Sequence, residues 1–124
     1  MRTLFVLIGI LLSSMSFSDT PPSPQQFLYK VLSQSQWEQS RDQAFLVLPA
    51  MDCPFIHLST EEQADKVVQK FFAKETRVFL LKLDVQKLPG RLLKERNPGG
   101  SDLYYHLYDG YIPTNAIVEV TRVK

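Results

Sequence analysis

The sequence predicts one α+β domain made of small antiparallel or mixed sheets with two helices. Short runs rich in aromatic and aliphatic residues recur along the chain as strand candidates. Two capping-box pairs, Ser33 with Gln36 and Thr60 with Gln63, each open a helix. Strand and helix signals do not alternate regularly, which argues for α+β rather than a doubly wound sheet. The chain has 124 residues, enough for one core and too few for two. With 44% apolar and 22% charged residues the composition is that of a folded globular protein.

The N-terminal segment stands apart from the domain. Met1-Arg2-Thr3 is a short basic start, Leu4 to Leu12 is an apolar run, and Ser13 to Ser18 is mostly small and polar. This layout is that of a cleavable signal peptide over residues 1–18, and it predicts export to the periplasm or beyond. The run falls short of the roughly 20 residues that cross a bilayer, so no membrane span is expected after cleavage. Residues 19–25, with Pro21, Pro22 and Pro24, form an extended linker, and residues 26–124 form the domain.

Within the domain Phe27 to Leu32 is the first strand, and Ser33 caps a short helix anchored by Trp37. Phe45 to Leu48 is a further short strand candidate, ended by Pro49. Pro54 to Ser59 is a strand that runs into the helix capped at Ser59 or Thr60. Ala64, Val67, Val68, Phe71 and Phe72 recur at helical spacing there, and Glu61 and Glu62 suit the positive end of its dipole. Val78 to Asp84 is the strongest strand, its apolar start suiting a central position. Val85 to Leu88 reads as one helical turn, and Leu92 to Glu95 and Tyr104 to Tyr108 as strands on either side of the Asn97–Asp102 loop. Ala116 to Val123 is the last strand. Trp37, Ile56, Phe71 and Leu81 are expected in the core.

Charge excludes some functions. Loss of Arg2 with the signal segment leaves one fewer than 14 basic residues, equal to the 13 acidic ones. A neutral chain lacks the electrostatic footprint of a nucleic-acid binder, so no nucleic-acid partner is expected. Cys53 is the only cysteine, which excludes an internal disulfide and a multi-thiolate metal site. It is expected as a small buried hydrophobe beside a strand.

The chain has two histidines, in similar settings: Ile56-His57-Leu58-Ser59 and Tyr105-His106-Leu107-Tyr108. Strand alternation puts His57 on one face with Phe55 and Ser59, and His106 on one face with Tyr104 and Tyr108. A lone histidine so placed is ordinarily a buried, hydrogen-bonded imidazole. Two of them with Glu95, Ser59, Thr60 and nearby tyrosines suggest a polar pocket instead. Their spacing matches no metal motif, and no metal is assigned.

In order along the chain, Tyr29-Lys30-Val31-Leu32, Trp37, Phe55-Ile56-His57-Leu58-Ser59-Thr60, Phe79 to Asp84, Glu95 and His106-Leu107-Tyr108 resemble a small bacterial family catalogued as domain of unknown function 952. The sequence departs from that pattern at Pro54 and Asp109, where the family usually has Gly, and at Tyr105, where it usually has Pro. The resemblance implies an ADP-ribosyltransferase-like fold, and NAD or a related nucleotide as the small-molecule ligand. Parts of it also look like the C-terminal half of RNA 2′-phosphotransferases. By that analogy His57, Glu95 and His106 are the candidate catalytic residues, with Ser59, Thr60, Tyr104 and Tyr108 lining the ligand site. Thr60, at a helix start, would offer N–H groups to a phosphate. Two functions compete: a nucleotide-binding transferase or hydrolase, and a non-catalytic ligand-binding or envelope structural module on the same fold.

Overall fold

In the computed structural model, which describes residues 25–124, six strands and two helices form an α+β fold. The expected signal segment and nearly all of the linker lie outside the described residues. Among these residues no helix is long and apolar enough to cross a membrane.

Strand β1 (Phe27–Ser33) pairs antiparallel with β3 (Val78–Asp84), which pairs antiparallel with β6 (Ile117–Arg122). The central position expected for Val78 to Asp84 is thus the middle of the β1-β3-β6 sheet. The second sheet has the order β2-β5-β4, from Phe55–Leu58, Leu103–Tyr108 and Arg91–Arg96, again antiparallel throughout. The two sheets meet where Tyr29 and Ser59 exchange backbone hydrogen bonds of 2.8 and 3.0 Å.

The core lies where the apolar faces meet. Leu28, Leu32, Leu81 and Leu83 come from the first sheet, and Ile56, Leu58 and Leu107 from the second. Leu46 and Ile112 close it from the loops. Period-two alternation then turns Phe55, His57, Tyr104, His106, Tyr108 and Glu95 to the other face of the second sheet. Trp37, on helix α1 (Gln34–Ser40), packs against this core from the side, its ring 6.5 Å from that of Phe79.

Both helix starts use the side chains named by the sequence. Gln36 Oε1 accepts from the Ser33 N–H at 2.9 Å, and Gln63 Oε1 accepts from the Thr60 N–H at 3.1 Å. Helix α2 (Glu61–Phe71) buries only Ala64 fully. Phe71, expected in the core, is 52% exposed. It is the last residue of the helix and lines the cavity together with β1, so periodicity named the stripe but not the open space beside it.

Two other expectations are corrected. Phe45 to Leu48 forms no strand; a single bridge joins Phe45 to Pro113, and Leu46 N–H donates to Ile112 O at 2.9 Å. Pro113 has no N–H with which to extend a ladder. Cys53 is exposed, because it follows the 3-10 turn Ala50–Asp52 and precedes β2. Asp109, where the resembling family has Gly, keeps a glycine-like backbone at φ 53°. At the neighbouring Gly110 a Cβ would lie 2.0 Å from Pro89 O, so that approach needs glycine itself.

Candidate functional site

Strands β2 and β5 are in a register that sets His57 directly opposite His106. Their ring centroids are 5.3 Å apart, edge to face. Phe55, two residues before His57, stacks on His106 at 4.1 Å. The two histidines therefore share one strip of sheet, but each belongs to its own hydrogen-bonded cluster.

The first cluster is built on a buried charge. Lys30 shares a face of β1 with Leu28 and Leu32, both core residues, so its side chain is almost wholly buried, with only 8% exposed at the cavity wall. It lies 3.0 Å from Asp52 Oδ1 and 2.9 Å from Oδ2, and it donates to the His57 carbonyl at 3.0 Å. Asp52 Oδ1 also accepts from the His57 backbone N–H at 3.0 Å and faces His57 Nδ1 at 2.9 Å. Burial raises the Asp52 carboxyl, but the hydrogen bond from His57 and the Lys30 charge outweigh it and hold the group below its ordinary value. Burial lowers Lys30 against the attraction of Asp52. Ion pair and backbone together lock His57 to the 3-10 turn.

The second cluster is self-contained. His106 is fully buried, with Nδ1 2.8 Å from Glu95 Oε1 and Nε2 2.7 Å from Asn97 Oδ1. A side-chain amide can serve as donor or acceptor, so Nε2 is satisfied in either tautomer. Tyr108 donates its hydroxyl proton to Glu95 Oε1. Hydrogen bonds from Tyr108 and His106 hold the Glu95 carboxyl below its ordinary value.

A cavity of about 560 Å³ opens beside the first cluster. Its walls are β1 from Tyr29 to Leu32, β2 from His57 to Ser59, the C-terminal half of α2 from Lys66 onward, and the Asn97–Asp102 loop with Tyr104. Lys66 forms an ion pair with Asp102, tying helix to loop, and Gln63 Nε2 donates to Leu103 O at 2.7 Å beside it.

Of the residues named from sequence, His57, Ser59 and Tyr104 line this cavity, and Glu95, His106, Thr60 and Tyr108 do not. His57 and His106 are thus brought together on paired strands, but of the three candidate catalytic side chains only His57 lines this cavity. Thr60 is the N-cap of α2 and does not line the cavity, whose α2 wall begins at Lys66, although the preceding Ser59 does line it. Sequence reasoning missed Lys30, Asp52, Lys66 and Lys70. For Lys30 a signal was available: a lysine between Leu28 and Leu32, on the face they bury, must find an acid. Asp52 carried no comparable signal, since a turn aspartate is ordinarily solvated. Among the described residues no three His, Cys, Asp or Glu side chains are grouped as metal ligands.

The crystal structure of protein CC0527 from Caulobacter crescentus is similar to this chain, with 28% identity and a TM-score of 0.67. The match covers 79% of this chain and 86% of that one. A solution NMR structure of CC0527 is similar at the same identity with a TM-score of 0.63, covering 78% of this chain and 84% of that one. No curated protein matches the chain. These likenesses bear on the α+β class and carry no sign of an ADP-ribosyltransferase-like relative. The family model described as Protein of unknown function (DUF952) matches residues 31–120, which take in Asp52, both histidines and most of the cavity wall, and the chain belongs to that family.

Proposed function

We propose that the chain is a binding domain for a small anionic molecule of nucleotide size, working outside the cytoplasm. The cavity beside α2 carries the ligand reading. Its volume of about 560 Å³ falls among those of small-molecule sites. Lys30, Lys66 and Lys70 line it against Asp52 and Asp102, an excess of one positive charge that favours an anion. Tyr29, Tyr104 and Phe72 add flat apolar surface for a ring. NAD and ADP-ribose combine a ring, hydroxyls and phosphate in this way, and the fold-level analogy to ADP-ribosyltransferases points to the same class.

Binding is favoured over chemistry of the ADP-ribosyltransferase type because Glu95 lies off the cavity wall and is already engaged by His106 and Tyr108. Export is supported by the basic, apolar and small segments of Met1 to Ser18. N-terminal sequencing of the protein from its native compartment tests it, and a start at Met1 would remove it.

Thermal shift with NAD, ADP-ribose, AMP and inorganic phosphate tests the ligand class. A ligand of the native state raises the midpoint by mass action, about 2.7 kcal/mol at a hundred times its Kd. At least one of these anions should do so, and Lys70→Ala should weaken the effect. No shift with any of them at millimolar concentration would overturn the anion reading.

A further inference from the structure

His57 has one nitrogen spoken for and one open. Nδ1 faces the Asp52 carboxylate at 2.9 Å, and that carboxylate is held in place by Lys30 and by the His57 backbone N–H. A carboxylate accepts and does not donate, so the proton of a neutral ring sits on Nδ1 and the lone pair on Nε2. Nε2 makes no hydrogen bond among the described residues. No histidine nitrogen among them is both buried and without a partner, so Nε2 is open to solvent. His57 is one of the cavity-lining residues, and 37% of its side chain is exposed.

His106 makes the internal contrast. Its Nδ1 also meets a carboxylate, but Asn97 occupies its Nε2 and the side chain has no exposure. Of the two imidazoles on one strip of sheet, His57 alone keeps a nitrogen without a partner among the described residues.

We propose, on the reading of the cavity as a ligand site, that His57 Nε2 is its preset acceptor for a ligand hydroxyl, with Asp52 and Lys30 as positioning residues. A carboxylate that fixes the tautomer while the far nitrogen meets the substrate is also the arrangement of a general base. The ligand class is accordingly a hydroxyl-bearing anion, the hydroxyl meeting Nε2 and the charge meeting Lys70. Lys30 has a separate task. It neutralises Asp52, which lets a carboxylate sit buried behind the ring.

Long-range proton–nitrogen NMR on full-length protein labelled at histidine reads the tautomer directly. Under mildly alkaline conditions His57 should show a protonated Nδ1 and an unprotonated Nε2. Diethyl pyrocarbonate should modify His57 several-fold faster than His106. The double variant Lys30→Met/Asp52→Leu removes both charges together and leaves Nδ1 no acceptor at position 52. In it His57 should lose its single tautomer, which a merely structural ion pair would leave unchanged. A wild-type His57 protonated at Nε2, or an unchanged tautomer in the double variant, would overturn the proposal. The wild-type spectrum needs no variant, so misfolding of the double variant leaves the test intact. If the tautomer is as expected and no nucleotide binds, the ligand class under Proposed function fails while the acceptor assignment stands.

Discussion

His57 and His106 occupy opposite positions on paired strands, and both turn Nδ1 to a carboxylate. They differ in depth and in what lies behind the carboxylate. Behind His57, Asp52 is buried against a lysine and the ring is left at a cavity wall. Behind His106, Glu95 is partly exposed at 36%, and the ring itself is buried between Phe55 and Asn97. The His57 cluster places its costly charges in the interior and its imidazole at the surface of a cavity. The His106 cluster does the reverse, and so behaves as polar mortar for the second sheet. A pair of histidines in matching sequence settings thus divides into one group available for a ligand and one used for structure.

The largest effect should come from splitting the buried ion pair. Asp52→Ala leaves the Lys30 ammonium uncompensated and should cost about 3–5 kcal/mol in denaturant titration, whereas Lys30→Met/Asp52→Asn should recover most of that loss. If the single variant is as stable as the double, the charges are not buried against each other as the structure has them.

Next in size is His106→Ala, which leaves a void under Phe55 and removes the partner of Glu95 and Asn97. A loss of about 2–4 kcal/mol is expected, with any anion affinity retained in folded protein. His57→Ala should be the milder change, within about 1 kcal/mol in stability, since its backbone N–H still reaches Asp52. It should nevertheless weaken whatever anion raises the midpoint. Reversal of these two outcomes would exchange the roles of the histidines.

The smallest effect separates the carboxylates by pH. Asp52 and Glu95 are both held below their ordinary values of 3.8 and 4.5, so each contributes stability above those values. That contribution is lost as pH falls through the depressed folded-state values. The melting midpoint should therefore hold above the ordinary carboxylate range and decline below it. Glu95→Gln should soften the decline only slightly, because Glu95 is screened by solvent where Asp52 is not.

Much of this architecture was legible locally. Ser33 with Gln36 and Thr60 with Gln63 mark both helix starts because capping is a matter of neighbours three residues apart. The alternation around His57 and His106 correctly put Phe55, Tyr104 and Tyr108 on their face. Phe71 and Cys53 went astray because burial depends on what the fold packs beside a residue. The family analogy groups Thr60, Glu95 and Tyr108 with the site, but it does not say on which side of a loop a side chain falls.

The sequence by itself determined the α+β class, the family and the strand face that carries the histidines, since these follow from short-range periodicity and motif order. Tertiary structure alone decided that Lys30, 22 residues from Asp52, pairs with it across the core. It also decided that the Asn97 loop closes over His106 and leaves His57 beside an open cavity. The physical reason is that a buried charge and an open nitrogen are defined by what surrounds them, and that surrounding is assembled from segments far apart in the chain.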